Sequence, residues 1–199
     1  MPNNITFLGM GDLAKELHSY IVSDSSFASD TNFFFFDDTL SSDLHLHGCT
    51  IEYVSNINSA IYSPESLYFL TISSGRNKLY SSLKKRNFKL SSFIHHTAVI
   101  SSFSTFGEGC VFFPFSVVSC NTKIGNSNIF NSFVGIGHDV VTTASNGSHS
   151  STVCNTSFIG GVCNHAGSAT TSSIVNNVNF IGGTSNCAFG GEGAIIGGE

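Results

Sequence analysis

At 199 residues the chain has room for one large domain or two small ones, with a proper core. Its net charge of −5 and the absence of Lys or Arg after Lys123 leave no basic surface for nucleic acid, and no apolar run approaches the ~20 residues that cross a bilayer. Charged residues make up only 11%, against roughly 25% in ordinary soluble domains, and Ser, Asn, Thr and Gly take their place.

The opening Met-Pro-Asn-Asn has no basic segment leading into an apolar stretch, which predicts no signal peptide and a cytoplasmic protein. Ile5-Thr-Phe-Leu8 then reads as a short buried strand, followed by Gly9-Met10-Gly11 and by Asp12 to Ile21 at helical spacing. A strand, a glycine turn and a helix N-terminus offer backbone N–H groups and a favourable dipole to an anion. The third glycine of the dinucleotide fingerprint is absent, so a ligand-free turn is an equal reading of these residues. A second strand, Asn32 to Phe36, ends in Asp37-Asp38, and a third, Leu67 to Ile72, ends in Ser73-Ser74-Gly75-Arg76 before another helix. If the three strands are parallel, all three loops lie at their carboxyl edge, where open α/β sheets bind ligands. The acidic pair suits ribose or base edges and Arg76 suits a phosphate, while helix capping is the plainer role for Asp and Ser there. Residues 89 to 99 read as a last strand running into the second half, which places a domain boundary near Ser92.

From Ile100 to Ile136 an apolar side chain falls on every sixth residue: Ile100, Phe106, Phe112, Val118, Ile124, Phe130 and Ile136. Four positions after each comes a mostly small residue: Ser104, Cys110, Ser116, Thr122, Asn128, Val134 and Val140. A period of six belongs neither to a helix nor to an amphipathic strand; it predicts a parallel β-helix with three flat strands per coil. The large residue fills the interior, and the later one is small because the wall turns inward there. The period weakens at Thr142, Ser148 and Cys154, and Phe158-Ile-Gly-Gly161, Phe180-Ile-Gly-Gly183 and Ile195-Ile-Gly-Gly198 suggest further coils in a shifted frame. Six cysteines (Cys49, Cys110, Cys120, Cys154, Cys163, Cys187) form no CxxC pair and read as reduced, packed thiols, with no metal expected. His138 follows the interior Ile136 by two residues, so its side chain points outward, and Asp139 comes next. An imidazole there can take a proton from an amine or hydroxyl attacking a thioester, with a carboxylate fixing its tautomer; a surface His without a role is the plainer reading of these two residues.

The segments Gly9-Met-Gly-Asp-Leu-Ala-Lys-Glu16, Asp37-Asp38, Ser74-Gly-Arg76, Phe93-Ile-His-His-Thr-Ala-Val-Ile100 and Ile129-Phe-Asn-Ser-Phe-Val-Gly-Ile-Gly-His-Asp139 together resemble the sugar O/N-acyltransferases of the sialic acid O-acetyltransferase type. That family includes bacterial nucleotide-amino-sugar N-acetyltransferases. The resemblance implies an α/β Rossmann-like nucleotide-sugar-binding domain over residues 1–92 and a left-handed β-helix of hexapeptide repeats over 93–199, assembled as a homotrimer. It further implies acetyl-CoA as acyl donor and transfer to the amine of a nucleotide-linked sugar, a 4-amino-6-deoxy sugar of surface glycan being expected. His138 would be the general base and Asp139 its orienting partner, with Asn131 a polar contact near the reacting amine. Gly9, Gly11, Asp37, Asp38, Ser74 and Arg76 would hold the substrate, and His149, Gly160 and Gly161 the coenzyme. The chain departs from the family in having His96 where Pro is usual and Gly147 where a coenzyme-contacting His is usual.

Three other functions fit parts of the sequence. Transfer to a sialic acid or sugar hydroxyl uses the same base. A γ-class carbonic anhydrase is also a β-helix trimer, and His138, His149 and His165 supply three imidazoles, although their spacing does not put two of them one wall position apart. A trimeric binding protein without catalysis would need only the solenoid and a nucleotide-sensing first domain.

Overall fold

The computed structural model describes residues 4–24, 30–73 and 75–138, and beyond these the backbone of short strands between 141 and 196. The chain forms two compact units, Met1–Ser91 and Ser92–Glu199.

In the first unit, strand β1 (Asn4–Leu8) lies between two parallel neighbours: Ile5 pairs with Phe33 of β2 (Asn32–Phe36) and with Leu67 of β5 (Ser66–Leu70). Strand β4 (Cys49–Ser55) extends the sheet parallel to β2, and β3 (Leu44–Leu46) closes it antiparallel to β4, giving the order β3-β4-β2-β1-β5. Ile5, Phe7 and Leu8 are fully buried, as a strand covered on both faces must be. Helix α1 (Asp12–Ser23) turns Ala14, Leu17, His18 and Ile21 inward, a spacing that keeps one apolar stripe on the sheet side. Helix α2 (Arg76–Lys85) starts after Gly75 in the left-handed region (φ 71°) and carries Lys84 and Lys85 in its last turn, where they complement the dipole. Leu83, Tyr80 and Phe88 complete a core with Leu8, Tyr68 and Leu70.

The expected strands after Asn4, Asn32 and Leu67 are present, and the hairpin of β3 and β4 adds two that the chain-order reading omitted. Its turn is His47-Gly48, both at positive φ (52° and 76°), the backbone of a two-residue hairpin loop. The expected strand over 89–99 is instead two short pieces, β6 (Phe93–Ile94) and β7 (Val99–Ile100), because the chain turns between them.

The second unit continues with β8 (Thr105–Phe106), β9 (Val111–Phe112), β10 (Val117–Val118), β11 (Lys123–Ile124), β12 (Ile129–Phe130), β13 (Gly135–Ile136) and β14 (Val141–Thr142). They stack in three parallel sheets, β13-β10-β7, β14-β11-β8 and β12-β9-β6. Val117 pairs with Val99 and Gly135, Lys123 with Thr105 and Val141, and Val111 with Phe93 and Ile129, so each coil consumes 18 residues in three six-residue sides. This is the parallel β-helix that the six-residue period predicts. Phe112, Val118, Ile124, Phe130 and Ile136 fill the interior, with Phe112 stacked on Phe130 at 4.7 Å. At the small positions Cys110, Ser116, Thr122 and Val134 are buried too, and two of them tie neighbouring coils: Thr122 donates its hydroxyl to the Gly137 carbonyl (2.9 Å) and Cys110 its thiol to the Gly125 carbonyl (3.2 Å). The corners follow the same count. Gly109, Phe115, Asn121, Ser127 and Phe133 all take positive φ, between 56° and 68°. Phe115 and Phe133 stack at 5.1 Å on the outside of one corner, a costly backbone conformation for so bulky a residue.

The later strands β15 (Thr152–Cys154), β16 (Ser157–Ile159), β17 (His165–Ala166), β18 (Ile174–Ile181), β19 (Cys187–Ala188) and β20 (Glu192–Ile196) depart from the 18-residue register. Thr152 faces Ile174 and His165 faces Cys187, 22 residues on, whereas Ile181 of β18 faces Ile196 of β20, 15 residues on.

Candidate functional site

Parallel neighbours β2, β1 and β5 bring three loops to one edge of the first unit's sheet. The loops are laced together by backbone groups. Gly9 donates its N–H to the Phe36 carbonyl (2.9 Å), Thr71 donates its N–H to the Leu8 carbonyl (3.0 Å), and the Thr71 hydroxyl donates to the Gly9 carbonyl (2.6 Å). Gly9 stands at φ 103°, and an added Cβ would overlap the Ile72 side chain, so only glycine fits. Gly11, by contrast, has open space where a Cβ would stand and begins α1 without a capping side chain. The helix start is therefore bare on the side where an anion would approach.

The acidic pair divides its labour. Asp37 is buried and accepts Met10 N–H (2.7 Å) on one carboxylate oxygen; on the other it accepts Thr39 N–H (2.7 Å), the Thr39 hydroxyl (2.6 Å) and Leu40 N–H (3.0 Å). Burial works against its charge, but these hydrogen bonds from Thr39, Met10 and Leu40 outweigh it and hold its pKa below the ordinary carboxylate value. Asp37 thus fixes the loop after β2 against the glycine turn after β1. Asp38 is exposed and accepts Ile57 N–H (3.0 Å), which leaves its second oxygen toward solvent. Arg76, expected to hold a phosphate, is turned inward at 6% exposure, and its Nη1 donates to the carbonyls of Leu70 (2.5 Å) and Ile72 (3.1 Å). It anchors the end of β5 to the start of α2. Ser74 lies outside the described residues.

Asn131 follows β12 and His138 lies two residues past β13, so the two flank the side that contains Gly135 and Ile136. Asn131 is half-buried and its carbonyl accepts Val134 N–H (3.2 Å), while His138 is exposed at the outer corner. One coil side, rather than a hydrogen bond, separates them within the chain. Asp139, His149, Gly160 and Gly161 lie outside the described residues. At the other end of the repeat, His95 and His96 have their rings 4.2 Å apart. The His95 Nδ1 accepts Thr97 N–H (3.2 Å) and lies 2.8 Å from the Thr97 hydroxyl, whose oxygen in turn accepts Phe115 N–H (3.1 Å). The junction histidine therefore serves the first corner of the coil. Among the described residues no group of three or more His, Cys, Asp or Glu converges as a metal site, and no helix is long and apolar enough to cross a membrane.

The sequence offered Asp37 and Arg76 for a ligand or, as the plainer role, for capping with Arg76 in solvent; in the structure both bind backbone groups of the loops at the sheet edge. The signal for Asp37 was present in Asp37-Asp38-Thr39, since an Asp two residues before Thr readily closes a turn on itself. No signal announced the role of Arg76, because its acceptors are backbone carbonyls that any sequence would offer.

No family model matches the chain, and no curated protein matches it. Solved structures do. The acetyltransferase domain of PglB from Neisseria gonorrhoeae in complex with acetyl coenzyme A is 18% identical, covers 99% of this chain and 94% of its own, and superposes with a TM-score of 0.59. WeeI from Acinetobacter baumannii is 21% identical over 89% of this chain and 88% of its own, with a TM-score of 0.61. PerB from Caulobacter crescentus in complex with CoA and GDP-perosamine is 17% identical, covers 98% of this chain and 86% of its own, and has a TM-score of 0.55. The chain has the fold of these proteins, a β-helix with parallel sheets and few helices.

Proposed function

We propose that the chain is an acetyl-CoA-dependent acetyltransferase acting on the amino group of a nucleotide-linked amino sugar, with His138 as general base. The observation that carries the reading is His138 itself: it stands exposed at the corner after β13, on a coil whose whole length is shared with an acetyltransferase domain in complex with acetyl coenzyme A. The perosamine structure, with CoA and GDP-perosamine, supports a nucleotide-linked amine as acceptor, and a 4-amino-6-deoxy sugar of surface glycan is the substrate proposed here.

On this reading the N-terminal unit is a Rossmann-like nucleotide-sugar domain, and the coil is left-handed and trimeric in a cytoplasmic enzyme. The sugar nucleotide meets the bare start of α1 at Gly9 and Gly11 and the outward oxygen of Asp38, while Asp37 and Arg76 hold the three loops in place. His138 removes a proton from the amine as nitrogen attacks the thioester carbonyl, Asp139 keeps the imidazole in the required tautomer, and Asn131 contacts the acceptor. Backbone N–H groups of the coil receive the developing oxyanion, and the tetrahedral intermediate collapses with departure of the coenzyme thiolate. Positioning and general-base help are both required, because a protonated amine is not a nucleophile at neutral pH.

Thiol release from acetyl-CoA tests this with purified protein and a panel of UDP-, TDP- and GDP-linked amino sugars, beside free sialic acid. Release with one sugar nucleotide is expected, and His138→Ala should lower kcat by about 10²- to 10⁴-fold while leaving the circular dichroism unchanged. Release with sialic acid alone would move the acceptor to a hydroxyl. No release with any acceptor would sink the assignment.

A further inference from the structure

We propose that Gly135 is a specificity-determining position: it leaves a hollow in the outer wall between Asn131 and His138 that receives the sugar ring of the acceptor, with Phe133 at the corner where that side begins. The ligand class rests on the acetyl-transfer reading; the hollow itself rests on the coil. Ile136 fills the interior, so Gly135, its neighbour on β13, faces outward. The equivalent outward positions of the two preceding coils hold Val117 and Val99, 42% and 61% exposed, and Val117 pairs with both Gly135 and Val99. The row of β-branched side chains thus stops at the coil that carries Asn131 and His138.

A glycine inside a strand weakens it and marks a bulge, a sharp bend, or the close approach of a ligand or another backbone. Neither of the first two applies. Val117 faces Gly135 and Val118 faces Ile136 without a shift of register, and the left-handed corner residue before this strand is Phe133. The φ of Gly135 lies outside the left-handed region, and among the described residues no atom beyond its chain neighbours lies within 4 Å of an added Cβ. Neither conformation nor internal packing calls for glycine, and the room it leaves faces outward.

Phe133 breaks the local rule in the opposite sense. It holds a bulky ring at φ 65°, where glycine is favoured, and the ring is 65% exposed and stacked on Phe115 at 5.1 Å. A large residue where a small one costs less stands two positions before a small one where a large one costs less. Such local conflicts collect at functional sites. The chemistry fits a sugar. A pyranose has a C–H face suited to apolar walls such as Val117 and Phe133, and polar edges suited to Asn131 and the His138 imidazole. A 6-deoxy sugar presents the larger apolar face.

Full-chain Gly135→Val, which copies the preceding coil, and Gly135→Ala, which adds one methyl group, test the hollow. Both should keep the circular dichroism of the parent. Isothermal titration with the UDP-, TDP- and GDP-linked amino sugars, beside the bare nucleoside diphosphates, reads binding without turnover. The parent should bind one sugar nucleotide more tightly than its diphosphate. Gly135→Val should weaken that sugar nucleotide by about tenfold or more and leave the Kd of the diphosphate unchanged, with Gly135→Ala between. In steady state the acceptor KM should rise while the acetyl-CoA KM stays, and Phe133→Gly should move the same acceptor KM. Unchanged sugar binding in Gly135→Val, or a parent that binds sugar nucleotides no better than their diphosphates, would overturn the subsite. So would sugar binding lost only in step with a change of mass in sedimentation equilibrium, since the backbone of a second copy would then occupy the hollow. A sugar advantage erased by Gly135→Val in a protein that acetylates no acceptor would uphold the hollow and sink the proposed function.

Discussion

Gly9 and His18 show how single residues set the first unit's tolerance. Gly9→Ala combines a left-handed φ with an overlap on Ile72, and the expected cost is about 2–4 kcal/mol, read as a lower denaturation midpoint of the unit. His18 is fully buried between Phe7 and Phe33, and neither ring nitrogen has a hydrogen-bond partner. Burial, and then the nearby His47 ring, lower its pKa to about 4 from 6.5. Because the unfolded chain binds this proton more readily, stability is complete above about pH 6.5 and declines as the pH falls toward 4. The loss is on the order of 1–3 kcal/mol. His18→Leu should flatten that part of the unfolding-midpoint profile; an unchanged slope would show that another group titrates there. Asp37 works in the same direction further into acid: its depressed pKa means its contribution is present above the ordinary carboxylate range and is lost as the pH falls through the folded value.

At the scale of elements, the coil was legible and the sheet edge was only partly so. A β-helix interior accepts one large side chain per side, so Phe112, Val118, Ile124, Phe130 and Ile136 announced themselves by count alone. The corners were not visible in composition, since Phe115, Asn121, Ser127 and Phe133 share a backbone conformation but no chemistry. The contacts of Arg76 with the Leu70 and Ile72 carbonyls, and of Asp37 with Met10 N–H, were not legible because those partners are main-chain atoms. The interior makes a sharp prediction. Phe112 is fully buried against Phe106 and Phe130, so Phe112→Ala should cost about 3–5 kcal/mol, measured by urea denaturation. Phe106, at the first coil and 38% exposed, should cost less.

For the whole molecule, the chain divides at Ser91 and Ser92, so Gly9 and Phe112 belong to different compact units. Gly9→Ala and Phe112→Ala combined should therefore add to within about 0.5 kcal/mol, and a larger discrepancy would reveal energetic coupling between the units. The exposure of His138 was legible, since it follows from its distance to Ile136. The end of the 18-residue repeat could only be sensed as a loss of period, because Ser, Asn and Thr carry no preference strong enough to declare a new one.

The count of 18 also governs which changes in length the coil can absorb. Duplicating a complete coil lengthens the prism and returns every later side chain to the side it had before. One residue inserted within a strand such as Val117–Val118 exchanges inside for outside in all that follows unless a corner swallows it as a loop. Length variation in this half should thus come in whole coils or as excursions at the corners, which makes the corners the places where a lineage can graft new chemistry without rebuilding the walls.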